Sequence, residues 1–178
     1  ATQRLRLDSG SSTLAAGKVL DAANVLVLAG TQPDITLVDD ARLNLSGGVL
    51  DGGATVTIRG GGRLALDSIV TIDAATLDVD AALELAPDSM LSIANGATLR
   101  LDGASTLNGA LSGAEETRII VAGVLNASAD TKIETAGRFD VDAGGRVDLS
   151  GWTSATTAAL AGDVILHDDA QLLARELT

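Results

Sequence analysis

From Leu43 to Leu101 an apolar-x-apolar pair recurs every six to eight residues, and the intervals are filled chiefly by Gly, Asp, Asn and Ala. The pieces read ARLNLSGG, ATVTIRGGG, RLALDS, IVTIDA, ATLDVDA, ALELAPD, MLSIANG and ATLRLDG. Each is too short for a helix and alternates with period two, the pattern of a strand that buries one face. Every third pair returns to the same kind of position: Val56/Ile58, Leu77/Val79 and Leu99/Leu101 are separated by 77 − 56 = 21 and 99 − 77 = 22 residues. A period near that length with three short strands in it predicts a solenoid.

Extending the period in both directions gives three families of strand positions, faces A, B and C. Face B is the most regular: Leu14, Ile35, Val56, Leu77, Leu99, Ile119, Phe139 and Leu160. Face A reads Leu20, Leu43, Leu64, Leu83, Leu107, Leu125, Val147 and Ile165, and face C reads Leu5, Val25, Val49, Val70, Leu91, Leu111, Ile133, Trp152 and Leu172. Steps on A and C scatter more widely, so insertions are expected at the corners beside them. The corners after face B, such as Arg59-Gly60-Gly61-Gly62, Asp102-Gly103 and Asp142-Ala143-Gly144-Gly145, carry the residues that permit positive φ or a local side-chain hydrogen bond.

The predicted fold is all-β: one domain over residues 1–178, a single-stranded parallel β-helix with three short strands per coil of about 21 residues and roughly eight coils. At about 4.8 Å per rung the rod is about 40 Å long. The irregular six-to-eight spacing argues against a strict hexapeptide repeat, so the right-handed form is expected. Only Asp168 to Leu177 hints at a helical period, through Leu172, Leu173 and Leu177, and residues 168–178 are expected to form a short C-terminal cap.

Stacking also predicts ladders of like residues. Thr55, Thr76 and Thr98 share one position, Asp78 lies one coil from Arg100, and Arg118 stacks on Arg138, a like-charge contact that needs a carboxylate such as Asp140 or Glu116.

Composition narrows the chemistry. Phe139 and Trp152 are the only aromatic residues, so the core is aliphatic, and 20 Gly with 2 Pro suit frequent tight turns. A net charge of −12 argues against nucleic acid or an anionic membrane as partner. No apolar run reaches the length of a membrane span. Without Cys there is no disulfide, thiolate metal site or Cys nucleophile. The start at Ala1-Thr2-Gln3 is read as a mature product freed of its signal peptide or as a cut segment.

His167, the lone histidine, reads as a solvated residue rather than a catalytic base, and zinc ligands cannot be assembled. Asp78, Asp80, Asp102, Asp140 and Asp142 cluster near face B and are the candidates for a carboxylate pair acting on a polysaccharide. Against that role, they also read as turn formers and outward positions of alternating strands, and sugar-stacking aromatics are lacking. No catalytic residue, cofactor or metal is therefore expected. Weak incidental calcium binding at the Asp corners is the most that the oxygen ligands imply, since the Gly-Gly-x-Gly-x-Asp pattern of calcium-filled rolls is not present.

Motifs such as Gly96-Ala97-Thr98-Leu99-Arg100-Leu101-Asp102-Gly103 and Ala41-Arg42-Leu43-Asn44-Leu45-Ser46-Gly47-Gly48 resemble the β-helical passengers of bacterial autotransporters and filamentous haemagglutinin-like adhesins. The likeness is one of pattern over nearly the whole chain, without the membrane barrel of a complete autotransporter. It implies an extracellular bacterial protein, secreted or at the cell surface, with a structural or adhesive role and a polysaccharide or host surface as partner. A polysaccharide-active β-helix enzyme and a trimeric phage tail-spike segment are the alternatives.

Charge at the two ends suggests self-association. Residues 1–20 hold Arg4, Arg6 and Lys18 against Asp8, a sum of +2, and residues 159–178 hold Arg175 against Asp163, Asp168, Asp169 and Glu176, a sum of −3. Arg4, Arg6, Asp168 and Asp169 are thus candidate contacts between copies stacked head to tail into a surface or matrix filament, a contact that does not close.

Overall fold

A computed structural model describes residues 4–7, 10–28, 33–128, 131–149, 158–160 and 162–173; side chains of 4–7, 24–28, 51–54 and 158–160 lie outside the description. The strands are β1 (Arg4–Leu7), β2 (Ser11–Leu14), β3 (Val19–Leu28), β4 (Asp34–Leu37), β5 (Arg42–Arg59), β6 (Arg63–Leu66) and β7 (Ile69–Val79). They continue as β8 (Ala82–Leu85), β9 (Met90–Ile93), β10 (Thr98–Leu101), β11 (Ala104–Leu107), β12 (Ala110–Gly113), β13 (Arg118–Val121) and β14 (Val124–Ala127). The last are β15 (Lys132–Thr135), β16 (Arg138–Val141), β17 (Arg146–Asp148), β18 (Ala158–Leu160), β19 (Val164–Leu166) and β20 (Gln171–Leu173).

Every pairing is parallel, and from β7 onward strands three places apart pair: β10 with β7 and β13, β11 with β8 and β14, β12 with β9 and β15. This is a β-solenoid. Its rungs form three ladders, which keep the letters A, B and C. The long strands bend round corners and serve several ladders: β5 pairs with β6 at Arg42–Leu45, then with β7 from Gly48 onward. From Asp34 to Leu160 the chain makes about six turns, and β1 to β3 and β19 to β20 extend the same ladders on either side.

Alternation explains the core. Inward residues of the central rungs, among them Val56, Leu77, Leu99, Ile119 and Phe139, are buried, and each full aliphatic burial contributes about 2 kcal/mol. The space ringed by Leu45, Leu50, Leu64, Leu66, Val70 and Leu77 leaves no room for a water molecule.

Ladder B follows the expected column from Val56 to Phe139. At its ends the register differs. Leu14 pairs with Leu37, Ile35 pairs with Ile58, and Phe139 pairs with Val164; Leu160 instead pairs with Thr135 on ladder C. In ladder A the position assigned to Leu107 belongs to Ser105, between Leu83 and Leu125, and that assigned to Ile165 belongs to Leu172. In ladder C, Leu5 pairs with Leu26 and Val49 with Thr71, while Ile133 pairs with Ala158. Trp152 lies outside the described residues. At Leu14, Ile35 and Ser105 the slip is two residues, which leaves the same side chains facing inward, so alternation alone does not distinguish those registers. The corner hydrogen bonds do, as where Gly103 N donates to Val79 O and Asn108 N to Leu85 O.

The helical period read at Asp168 to Leu177 is corrected over its described part. Asp168 and Asp169 form a turn, and Gln171–Leu173 is a strand whose Leu172 stacks on Val147. Backbone bonds from Gln171 N to Gly145 O and from Leu149 N to Leu173 O supply the ladder that a helix would forgo.

Candidate functional site on the outer surface of ladder B

The strand period that sends Leu77 and Val79 inward turns Asp78 outward, and stacking repeats this on every rung. The central outward column reads Asp34, Thr57, Asp78, Arg100, Ile120, Asp140 and Ile165. On one side runs the expected threonine column, Thr55, Thr76 and Thr98, continued by Arg118 and Arg138. On the other, just past each strand, come Asp80, Asp102, Ala122, Asp142 and His167, whose amides donate to Ile58, Val79, Leu101, Val121 and Val141 respectively. All five candidate aspartates therefore converge on this one surface.

Asp140 is its most constrained member. Arg118 Nε donates to Oδ2 at 2.5 Å and Arg138 Nε to Oδ1 at 2.7 Å, while the carboxylate itself is 0 % exposed, between Ile120 and Ile165 on the adjoining rungs. Burial pushes its pKa up, but the two guanidinium bonds outweigh burial and hold the carboxyl below the usual range. This is the carboxylate that the stacked arginines require; Glu116 is engaged elsewhere, with Asn95.

Arg100 and Asp78, one coil apart as expected, are paired rung to rung and opposite in sign, yet Arg100 bonds to other carboxylates. Its Nε meets Asp102 Oδ1 at 2.8 Å, and its Nη1 donates to Asp142 Oδ2, also at 2.8 Å, two rungs away. The intervening position is Ala122, whose methyl group is short enough to let the guanidinium pass. Burial opposes the charge, yet Asp142 and Asp102 raise the Arg100 pKa above its already high value. Asp142 Oδ1 in turn lies 3.9 Å from His167 Nε2, so one polar chain runs along the axis from Asp102 to His167.

Asp78 is left with a buried Oδ1 that has no hydrogen-bond partner. Burial first, then the charges of Asp102 and Asp80, raise its pKa, and Arg100 only partly offsets them. Other arginines also tie rungs together: Arg59 to Asp34 at 2.5 Å on ladder B, and Arg63 to Glu84 at 2.6 Å on ladder A.

Among the described residues no group of three His, Asp or Glu side chains is arranged to hold a metal ion, and no helix is long and apolar enough to cross a membrane. The structure places Arg4 and Arg6 in β1 on ladder C, at one end of the stack, and Asp168 and Asp169 in the exposed B-to-A corner at the other. Sequence reasoning missed the reach of Arg100 across two rungs. The small residue at Ala122, between Asp102 and Asp142 in the period, is the signal that could have found it. No protein-family model, no curated protein and no solved structure matches this chain.

Proposed function

We propose that the protein is a non-enzymatic structural or adhesive solenoid that works outside a bacterial cell, with copies that stack end to end into a surface or matrix filament. The observation that carries this reading is the use made of the outer carboxylates. Asp140 is clamped by Arg118 and Arg138, and Arg100 joins Asp102 to Asp142. Side chains committed in this way fasten one rung to another and are poor candidates for proton transfer to a substrate. The extracellular bacterial setting rests on the pattern shared with autotransporter passengers and haemagglutinin-like adhesins, and it implies a polysaccharide or a host surface as partner.

The test is retention on surfaces. Beads coated with the protein are expected to be held by at least one of a set of immobilised acidic and neutral polysaccharides or by cultured epithelial cells, above the level of beads coated with albumin. Equal retention across the whole set contradicts the adhesive half of the reading.

A second reading, a polysaccharide-active enzyme, draws support from Asp78. A carboxyl whose pKa is raised by burial and by the neighbouring Asp102 carboxylate is the electrostatic arrangement of a general acid. It predicts chain cleavage that Asp78→Asn abolishes.

A further inference from the structure

The sequence holds two Asn-Gly pairs, Asn95-Gly96 and Asn108-Gly109. Such a pair is the most reactive setting for an asparagine amide. No Cβ shields the backbone nitrogen of the glycine, and that nitrogen can attack the side-chain carbonyl carbon of the asparagine. The fold treats the two pairs differently. Asn108 and Gly109 are fixed in the corner between ladders A and C: Asn108 N donates to Leu85 O, Ala110 N to Ser89 O, and Lys132 N to Gly109 O. Gly109 is buried, and a Cβ on it would run into the carbonyl oxygens of Ser89 and Ala86.

Asn95 and Gly96 are the middle residues of the turn between ladders C and B, closed by Ala97 N donating to Ala94 O at 3.1 Å. Both are exposed, Gly96 takes φ of 77°, and a Cβ there would meet nothing within 4 Å. Among the described residues nothing accepts a hydrogen bond from Gly96 N, so the attacking nitrogen is open to water and base. The Asn95 side chain is held only at the surface. Its Nδ2 donates to Glu116 Oε2 at 2.9 Å and its Oδ1 accepts from Glu116 N at 3.3 Å. Glu116 lies in the same corner one coil on, a turn closed by Thr117 N donating to Ala114 O.

We infer that Asn95 is a site of spontaneous covalent modification, where the amide is lost through a cyclic imide with Gly96 and replaced by a carboxylate facing Glu116, while Asn108 is spared. The reaction needs only water. Gly96 N forms a bond to Asn95 Cγ and the Cγ–Nδ2 bond breaks; the proton of Gly96 N passes through water to the departing nitrogen, which leaves as ammonia. Water then opens the imide ring at either carbonyl. The product is an aspartyl residue, or an isoaspartyl residue whose backbone runs through the former side chain. Both lack the donor that Glu116 now accepts from, and both set two carboxylates against each other on adjoining coils. The isoaspartyl form also lengthens a turn that joins two strands of fixed register. The corner between ladders C and B is thus where the solenoid loosens with age.

The test ages the purified 178-residue protein at pH 8 beside a sample unfolded in guanidinium chloride. Trypsin cuts after Arg63, Arg100 and Arg118, so residues 64–100 and 101–118 give separate peptides whose only asparagines are Asn95 and Asn108. In the folded protein the mass gain of amide-to-acid exchange is expected to rise at least about tenfold faster in the first peptide, with isoaspartate in the product. In the unfolded sample the two peptides are expected to react alike. Asn95→Asp is expected to lower the melting temperature by about 3 °C, and Asn95→Asp with Glu116→Gln to recover it. Equal rates at the two positions in the folded protein, or an Asn95 that stays intact while the unfolded chain reacts, overturn the site. Acid product without isoaspartate overturns the imide route, and an unchanged melting temperature in Asn95→Asp overturns the loosening.

Discussion

Arg118 and Arg138 are paired residues on adjacent rungs of ladder B, two like charges one strand spacing apart, and both point their Nε at the carboxylate of Asp140. The arrangement turns a repulsion into a fastening, because one buried anion serves two half-exposed cations.

Removing that anion while keeping its shape should therefore expose the repulsion. Asp140→Asn is expected to destabilise the fold by about 2 kcal/mol, less than the loss of a fully buried pair because both guanidinium groups reach solvent. Urea unfolding followed by circular dichroism measures it, and Asp140→Asn combined with Arg118→Gln should recover part of the loss.

Acid should act on two aspartates in opposite senses. Asp140 has a folded pKa below its unfolded value, so its contribution is present above the unfolded pKa, about 3.9, and is lost as pH falls through the folded value. Asp78 has a raised folded pKa, so its ionised form costs stability at pH 7 and that cost is relieved as pH falls through the folded value. Asp78→Asn is accordingly expected to raise the melting temperature at pH 7, with the gain gone below about pH 4. Asp140→Asn should flatten the fall in stability below that pH.

Ser105 stands in ladder A between Leu83 and Leu125, fully buried, with a hydroxyl that has no hydrogen-bond partner. Ser105→Ala is expected to stabilise the protein by about 1 kcal/mol, since it removes the desolvation cost of an unpaired hydroxyl. Thermal unfolding of the pair of proteins is sufficient to check the sign.

Two glycines separate backbone strain from crowding. A Cβ on Gly103 would run into the carbonyl oxygens of Ala81 and Asp80 on the coil below, whereas one on Gly96, at φ 77°, would meet nothing within 4 Å. Gly103→Ala is expected to lose about 3 kcal/mol to overpacking, and Gly96→Ala only about 1 kcal/mol to the left-handed backbone. Equal losses in urea unfolding would show that the coils are not stacked as closely as described.

The solenoid was legible because its signal is repetitive: the alternation that buries Val56, Leu77, Leu99, Ile119 and Phe139 returns at nearly constant spacing. Register was not legible everywhere, since in the middle of ladder A Leu107 and Ser105 sit two residues apart on the same inward side and apolarity favoured the wrong one. The cluster of aspartates on ladder B could be read from period two. Their ion pairs could not, because the choice of Arg100 between Asp78 one rung back and Asp142 two rungs on depends on Ala122 leaving the path open. The short strand at Gln171–Leu173 carried too few residues to announce its own period.

The central proposal is that the carboxylates of ladder B fasten coils and take no part in catalysis. Release of reducing or unsaturated ends from a panel of acidic and neutral polysaccharides, followed over a day between pH 4 and pH 8, tests it most directly. The account predicts no product above a protein-free control at any pH. Product that forms with the native chain and disappears in Asp78→Asn would contradict it and make ladder B an active face.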